Sequence, residues 1–327
     1  MDRISLGNRE FEGRNNAYVL ESEGLTLVDT GVATETTREG LRTGLADLGY
    51  GFADVSQVVL THFHPDHAGL AGEIQAEGDA TVYVHEADAP LVAQEEAALS
   101  DLDALRRRLF TRWGMPDEER EGLLAFLEGH THIAGEPADV TSIEEGSEIE
   151  AGETTLRAVH TPGHAAGHCC YEFGVDGGGD ATEAFVGDAI LPVYTPNVGG
   201  ADVRVDRPLE RYLRTLSRIA GAEYDRVWPG HRDPIDEPSE RARTIADHHR
   251  ERTENVLGVL SEHGPADAWT VSAHLFGDLS GIHVMHGPGE AYAHLDHLVR
   301  EGVVADEEGR YELLEPDPDL DTVLAVE

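Results

Sequence analysis

Lysine occurs nowhere in these 327 residues, so the 24 basic side chains are all arginine, set against 64 Asp and Glu for a net charge of −40. A basic field that would gather nucleic-acid phosphates is missing, and with it the term that supplies most non-specific binding to them. Cysteine is nearly absent. Cys169 and Cys170 are the only two, and sequence neighbours make a poor disulfide because their side chains point apart in extended chain. They read as packing residues of a strand. No stretch approaches the ~20 apolar residues of a membrane span, and the opening Met1-Asp-Arg-Ile-Ser5 has no basic segment followed by an apolar run. These absences argue against a disulfide-stapled module and a membrane protein, and a cytoplasmic location is expected.

Acid, by contrast, is everywhere. It is spread evenly between apolar runs in a chain that is 40% hydrophobic, which suits a folded, acid-coated protein rather than a disordered acidic tail. Such a surface repels itself in dilute salt, while at ~1 M salt the screening length falls to about 3 Å. The composition resembles that of proteins from salt-accumulating halophiles. A surface built for a cationic partner is the other reading of the same numbers.

One stretch organises the rest: Val58-Val-Leu-Thr-His62-Phe-His64-Pro-Asp66-His67-Ala-Gly69 places four ligand-type side chains within six residues, at the end of a β-branched run. Pro65 and Gly69 force a tight loop after a buried strand. A loop can aim all four side chains one way, whereas a strand or helix with this spacing would scatter them. Imidazoles with a carboxylate suit Zn²⁺. His62, His64 and His67 would make one ordinary site, and the added Asp66 points to two metals in one pocket, a geometry used for hydrolysis.

This His-x-His-x-Asp-His run resembles the signature of the metallo-β-lactamase superfamily. The resemblance implies further ligands downstream, and three candidates follow in order: His164 in Thr161-Pro-Gly-His-Ala-Ala-Gly167, Asp188 in Phe185-Val-Gly-Asp-Ala-Ile190, and His231 in Val227-Trp-Pro-Gly-His231. It implies His62, His64 and His164 around one metal, Asp66, His67 and His231 around the other, and Asp188 bridging them. Asp66 would also orient the metal-held hydroxide or take its proton. Asp29, in Asp29-Thr-Gly31, matches a family motif that supports the ligand loop. The fold implied is α/β, an αββα sandwich, over residues 1–240. Two Zn²⁺ are the expected cofactors, with iron or manganese as alternatives.

Elsewhere, residues 16–20 and 25–29 read as a hairpin, 34–48 as an amphipathic helix, and 58–60, 69–77 and 81–84 as strand, helix, strand. From about 86 to 130 the pattern turns helical, broken at Gly114-Met-Pro116, as an insertion near the mouth of the site. Within it Arg106-Arg-Arg108 would serve an anionic substrate or a solvated helix face. The loop 191–200 leaves a candidate ligand, and Tyr194 or Asn197 would polarise a substrate oxygen. Beyond Pro234–Pro238, residues 241–327 read as three helices and a hairpin, a winged-helix-like domain whose third helix, 290–300, lacks positive charge for DNA. Packing or a homodimer is its expected role.

With this tail the resemblance narrows to the branch carrying a C-terminal winged helix, which includes β-lactamase-like endoribonucleases, and to glyoxalase II-like hydrolases. Class B β-lactamases lack an equivalent of Asp188, and flavodiiron oxygen reductases carry Glu where His64 stands. The expected activity is a binuclear zinc hydrolase acting through a metal-bridging hydroxide on a small ester or thioester. A phosphodiesterase or ribonuclease binding RNA, a mononuclear iron persulfide dioxygenase, and a non-catalytic metal-stabilised binding protein are the alternatives.

Overall fold

Alternating apolar side chains on short strands build two sheets, and the described residues of this computed structural model, 1–7, 13–21, 24–174 and 182–326, show how they stack. The first sheet takes strands β1 (Asp2–Ser5), β2 (Asn16–Glu21), β3 (Leu25–Val28), β4 (Val55–Val59), β5 (Thr81–His85) and β6 (Val140–Ile143) in that order. The pairs β1·β2 and β2·β3 are antiparallel and the rest parallel. The expected hairpin is therefore present, although its turn at Ser22–Glu23 lies outside the described residues. The second sheet, in spatial order, takes β11 (Arg226–Pro229), β10 (Thr182–Gly187), β9 (Cys169–Gly174), β8 (Thr154–His160) and β7 (Glu148–Ala151). Only β10·β11 is parallel within it.

The sheets face each other across Tyr18, Leu20, Val28 and Val59 from the first and Ile149, Leu156, Ala158, Cys169, Tyr171, Phe173 and Phe185 from the second. Helices cover both outer faces. On the first lie α1 (Glu35–Asp47), the single turn α2 (Pro65–Ala68) and α3 (Ala71–Gly78), with Leu41, Leu45 and Ile74 packed on Val19, Leu27, Val58 and Val82. Helix α1 starts where the Thr34 hydroxyl accepts the Thr37 N–H, an N-cap worth about 1 kcal/mol. The insertion forms α4 (Ala89–Val92), α5 (Glu96–Arg112) and α6 (Asp117–Gly129). The second sheet is covered by α7 (Pro208–Gly221) and the front half of α8 (Pro238–His263), through Leu209, Leu213, Leu216, Ile219, Ala242 and Ile245. Each of the Leu and Ile side chains among these contributes about 1.5–3 kcal/mol on full burial. Both helices begin with Pro at their first position, where a missing N–H costs nothing.

The chain ends in α9 (Ala268–Phe276), α10 (His283–Arg300), the hairpin β12 (Val304–Glu307) and β13 (Arg310–Leu313), and α11 (Leu320–Val323). Helix α10 begins seven residues earlier than the sequence pattern gives it, at His283 rather than Glu290, and carries Pro288 inside it. Gly287-Pro-Gly289 reads locally as a break, yet Gly289 is buried against Gly200, so tertiary contact outweighs propensity. The insertion and this C-terminal region share one core. Phe110, Trp113, Met115, Leu123 and Leu124 pack with Val256, Leu257, Leu260, Val271, Leu295 and Tyr311. The Trp269 N–H donates to the Trp113 carbonyl at 2.8 Å, and Arg112 is paired with Asp306. The long helix α8 starts at the end of the Pro234–Pro238 boundary and gives its first half to one core and its second half to the other.

Candidate metal centre

All the candidate ligands leave the same ends of the two sheets. The loop after β4 carries His62 and His64, and α2 carries Asp66 and His67. The loops after β8, β10 and β11 carry His164, Asp188 and His231. Two buried sheets thus point five short segments at one spot. Every one of these side chains is buried except that of His64, which is half-buried.

Hydrogen bonds fix which way each imidazole presents its nitrogens, with tautomers assigned from the network. His64 Nε2–H donates to the Ala201 carbonyl at 3.1 Å, and His164 Nδ1–H to the Asn197 carbonyl at 3.0 Å. Thr61 Oγ1 gives its proton to Asp29 at 2.8 Å and so accepts from His62 Nδ1–H at 3.0 Å. Three nitrogens are then left with lone pairs: His62 Nε2, His64 Nδ1 and His164 Nε2. They face one another, with His64 Nδ1 at 2.9 Å from His62 Nε2 and 3.1 Å from His164 Nε2. Burial lowers the pKa of all three imidazoles and keeps them neutral. Lone pairs this close repel unless a cation lies among them.

The second set, Asp66, His67 and His231, adjoins the first through Asp188. His67 Nδ1–H donates to Asp29 Oδ2 at 2.8 Å and His231 Nδ1–H to the Gly13 carbonyl at 3.0 Å. Their inner atoms have no partner: His67 Nε2, His231 Nε2 and Asp188 Oδ1 are buried without a hydrogen bond. Separations are 3.6 Å from His67 Nε2 to Asp188 Oδ1, 3.4 Å from His231 Nε2 to Asp188 Oδ2 and 3.5 Å to Asp66 Oδ2. These are long for hydrogen bonds. Ligand atoms about 2.1 Å from a tetrahedral ion, however, lie about 3.4 Å apart.

The charges tell the same story. Burial opposes a proton on His231, but the Asp188 carboxylate outweighs it and pushes the pKa up to about 9. Burial likewise opposes the charge on His67, and Asp188, Asp66 and Asp29 together overcome it. Burial would raise the Asp188 carboxyl, yet His231 and His67 hold it well below its usual range. Three carboxyl groups here call for buried positive charge. A divalent cation supplies it and leaves the imidazoles free to ligate. Gly230 keeps the space open, since a Cβ there would stand 2.5 Å from His67 Cε1 and 2.6 Å from Asp188 Oδ1. The donor set therefore fits divalent metal, with two groups of three ligands and one carboxylate between them.

Of the supporting residues expected from sequence, Asp29 lies behind the ligands. Held at a left-handed φ of 58°, it accepts the Thr61 N–H at 2.8 Å as well as His67. Asn197 does not offer its amide to a substrate. Its Oδ1 accepts the Gly200 and Ala201 N–H groups and its Nδ2 donates to the His286 carbonyl and Glu290, so every polar atom is committed within the protein. Tyr194 is 44% exposed, with Arg232 donating to its hydroxyl at 2.9 Å and lying over its ring. In the basic run, Arg107 pairs with Asp103 and Arg108 is exposed. Arg106 is half-buried, its Nε has no partner, and burial lowers its pKa.

Sequence reasoning missed the residues that hold the ligand loops together. Asp88 accepts the Phe63 N–H at 3.1 Å, next to His62 and His64, and the Gly167 N–H at 3.0 Å beyond His164. Asp202 accepts the Ala166 N–H at 2.8 Å, and Arg204 joins the two carboxylates at 2.6 and 2.7 Å. His168 Nε2 accepts the Asp188 N–H at 3.1 Å. Only His168 left a trace in sequence, by standing four residues after His164. The acids and Arg204 are ordinary residue types brought together from distant segments.

Comparison with known proteins follows the same lines. A family model described as the metallo-beta-lactamase superfamily matches residues 11–231. The probable metallo-hydrolase YqjP of Bacillus subtilis is 29% identical over 290 residues, 88% of each chain. A metallo-beta-lactamase family protein of Thermus thermophilus, known from its crystal structure, superposes with a TM-score of 0.80 at 30% identity, covering 95% of this chain and 98% of that one. The thioesterase pkgB of Emericella nidulans is 24% identical over 258 residues, 79% of this chain and 57% of its own length.

Proposed function

The chain belongs to the metallo-beta-lactamase superfamily and is a metal-dependent hydrolase, and from that premise we propose that it is a binuclear zinc enzyme cleaving a small ester or thioester. The observation that carries the reading is the pair of ligand sets meeting at Asp188, one with three converging lone pairs and one with three unpartnered buried atoms. Two divalent cations, when bound, supply an acidified water and positive charge for a developing oxyanion. The chain's residues do the remaining work. His62, His64 and His164 would hold one ion as neutral donors, while Asp66, His67 and His231 would hold the other, with Asp188 between the two sets.

Asp66 is the residue placed to take a proton. Its Oδ2 accepts from Asn15 Nδ2 at 3.2 Å, which orients the carboxyl group beside the pocket. The loop 197–201 borders the site through the carbonyls that His164 and His64 lean on. A thioester is favoured over a phosphodiester on two grounds. One is the thioesterase named among the relatives; the other is the net charge of −40, which repels a polyanion. The three C-terminal helices and hairpin are read as a winged helix used for packing, and the acid surface as an adaptation to a salt-rich cytoplasm.

Metal analysis after zinc supplementation, joined to a panel of acyl thioesters, lactones and bis(p-nitrophenyl) phosphate in concentrated potassium chloride, tests the reading. Two zinc ions per chain and turnover of a thioester or ester are expected. One iron with oxygen uptake would replace it with a dioxygenase. Turnover of the phosphodiester alone would replace the substrate class, and metal binding without turnover of any panel member would overturn the ester and thioester reading.

A further inference from the structure

We propose that Asn197 is a positioning residue through which the C-terminal helices set the affinity of the metal position formed by His62, His64 and His164, while the Asp66, His67 and His231 position is independent of them. The inference rests on reading the cluster as a metal centre, and it adds a distinction between the two positions that the ligand sets alone do not draw.

The loop 197–201 supplies the outer acceptors of two of the three imidazoles. The Asn197 carbonyl takes the His164 Nδ1–H at 3.0 Å, and the Ala201 carbonyl takes the His64 Nε2–H at 3.1 Å. Acceptors of this kind fix the tautomer and the ring plane of a ligating histidine and raise its basicity. The two carbonyls lie four residues apart, so their relative position depends on the shape of the loop between them. Asn197 sets that shape: its Oδ1 accepts the Gly200 N–H at 3.1 Å and the Ala201 N–H at 2.8 Å, closing the loop on itself.

The other half of the same amide faces α10. Asn197 Nδ2 donates to the His286 carbonyl at 3.1 Å and to Glu290 Oε2 at 3.2 Å. Glu290 in turn is 3.4 Å from Arg252 on α8. Helix and loop meet backbone to backbone, since a Cβ on Gly289 would lie 2.3 Å from Gly200 Cα and one on Gly200 would lie 2.5 Å from His286 Cα. A continuous series of contacts therefore runs from Arg252 through Glu290 and Asn197 to His164 and His64. Among the described residues, the outer nitrogens of the other set lean away from α10, His67 on Asp29 and His231 on the Gly13 carbonyl.

Calorimetric titration of Zn²⁺ into the chelator-stripped full chain tests this, with His64→Ala and His231→Ala as markers for the two positions. Asn197→Ala is expected to weaken one of two zinc equivalents by about 10–100-fold, the range seen when such outer partners are removed, and to leave the other unchanged. Combined with His64→Ala it should have no further effect on the remaining ion. Glu290→Ala should weaken the same equivalent, and Glu290→Gln, which still accepts from Asn197, should restore it. That rescue separates positioning from a general loss of packing. Two equivalents that weaken alike, or neither weakening, would overturn the proposal. A wild-type chain that takes up no zinc would overturn the metal reading beneath it, and the proposal with it.

Discussion

The two halves of the centre share one pocket and one carboxylate, yet they are built differently. His62, His64 and His164 are neutral, and their outer nitrogens lean on a hydroxyl and two backbone carbonyls. Asp66, His67 and His231 sit among carboxyl groups, with Asp29 directly behind His67. A neutral set offers directed lone pairs and depends on the loop that aims them. A charged set draws a cation by field as well as geometry, and tolerates small displacements better because Coulomb attraction falls slowly with distance. The comparison therefore teaches that one half is limited by positioning and the other by charge.

The harshest way to break that contrast is to remove what the halves share. Asp188 approaches His67 and His231 on one side and His164 Nε2, at 3.6 Å, on the other. Asp188→Asn takes the charge from both, and kcat should fall by about 10³-fold, as for loss of a principal electrostatic group. Steady-state rates with zinc in excess would measure it, and full activity would remove Asp188 from the bridging role. A narrower change should separate the halves. His231→Ala removes a candidate ligand from the charged set alone and should weaken one zinc equivalent by at least about 10–100-fold, the loss seen when only an outer partner is removed. In calorimetry the other equivalent should keep its affinity, and equal losses in both would show that the halves do not act separately.

How much of this was legible beforehand follows the same division. The run Val58–Gly69 announced its candidate ligands because a short loop places close sequence neighbours close in space. The strand-end Gly-His and Gly-Asp pairs around His164, Asp188 and His231 could be picked out once the family pattern was in hand. Helix α1 was plain from its apolar spacing, and the structure adds the Thr34 cap. What could not be read was whatever joins distant segments. Asp88, Asp202 and Arg204 show no local signature, and Asn197 looked like a substrate contact because its loop leaves a ligand. The common core of the insertion and the C-terminal helices was hidden for the same reason. Periodicity shows that a helix has an apolar face and leaves its partner unnamed.

Acid should reach the C-terminal helices as it reaches the neutral half of the centre, while the charged half titrates in the opposite direction in the metal-free chain. Burial pushes His249 and His286 down to about 3 and lowers His294 as well. Their stabilising contribution is complete above the unfolded value of about 6.5 and is lost as pH falls from there toward the folded values. These residues lie on α8 and α10. His231, at about 9, has the opposite sign: its contribution is complete below about 6.5 and is lost as pH rises through about 9. Hydrogen exchange between pH ~7 and ~4, corrected for intrinsic rates, should show α8 and α10 losing protection while α1 keeps it. Uniform loss across both regions would contradict the assignment.

Salt should move the contrast least while moving the whole fold. With 64 acids against 24 arginines, the folded surface holds like charges closer together than the unfolded chain does. Lowering salt from ~1 M to ~0.1 M lengthens the screening distance from about 3 Å to about 10 Å, so repulsion then reaches across many more surface pairs. Thermal melts from molar potassium chloride down to dilute buffer should show the melting temperature falling by several degrees. Both ligand sets are buried, and buried charges are screened far less than exposed ones. The ratio of the two zinc affinities should accordingly stay nearly constant over the same range. A melting temperature that does not change with salt would mean the acid coat is not a salt adaptation and would revive a cationic partner as its purpose. A ratio that drifts strongly would mean that one half is far more open to solvent than its burial indicates.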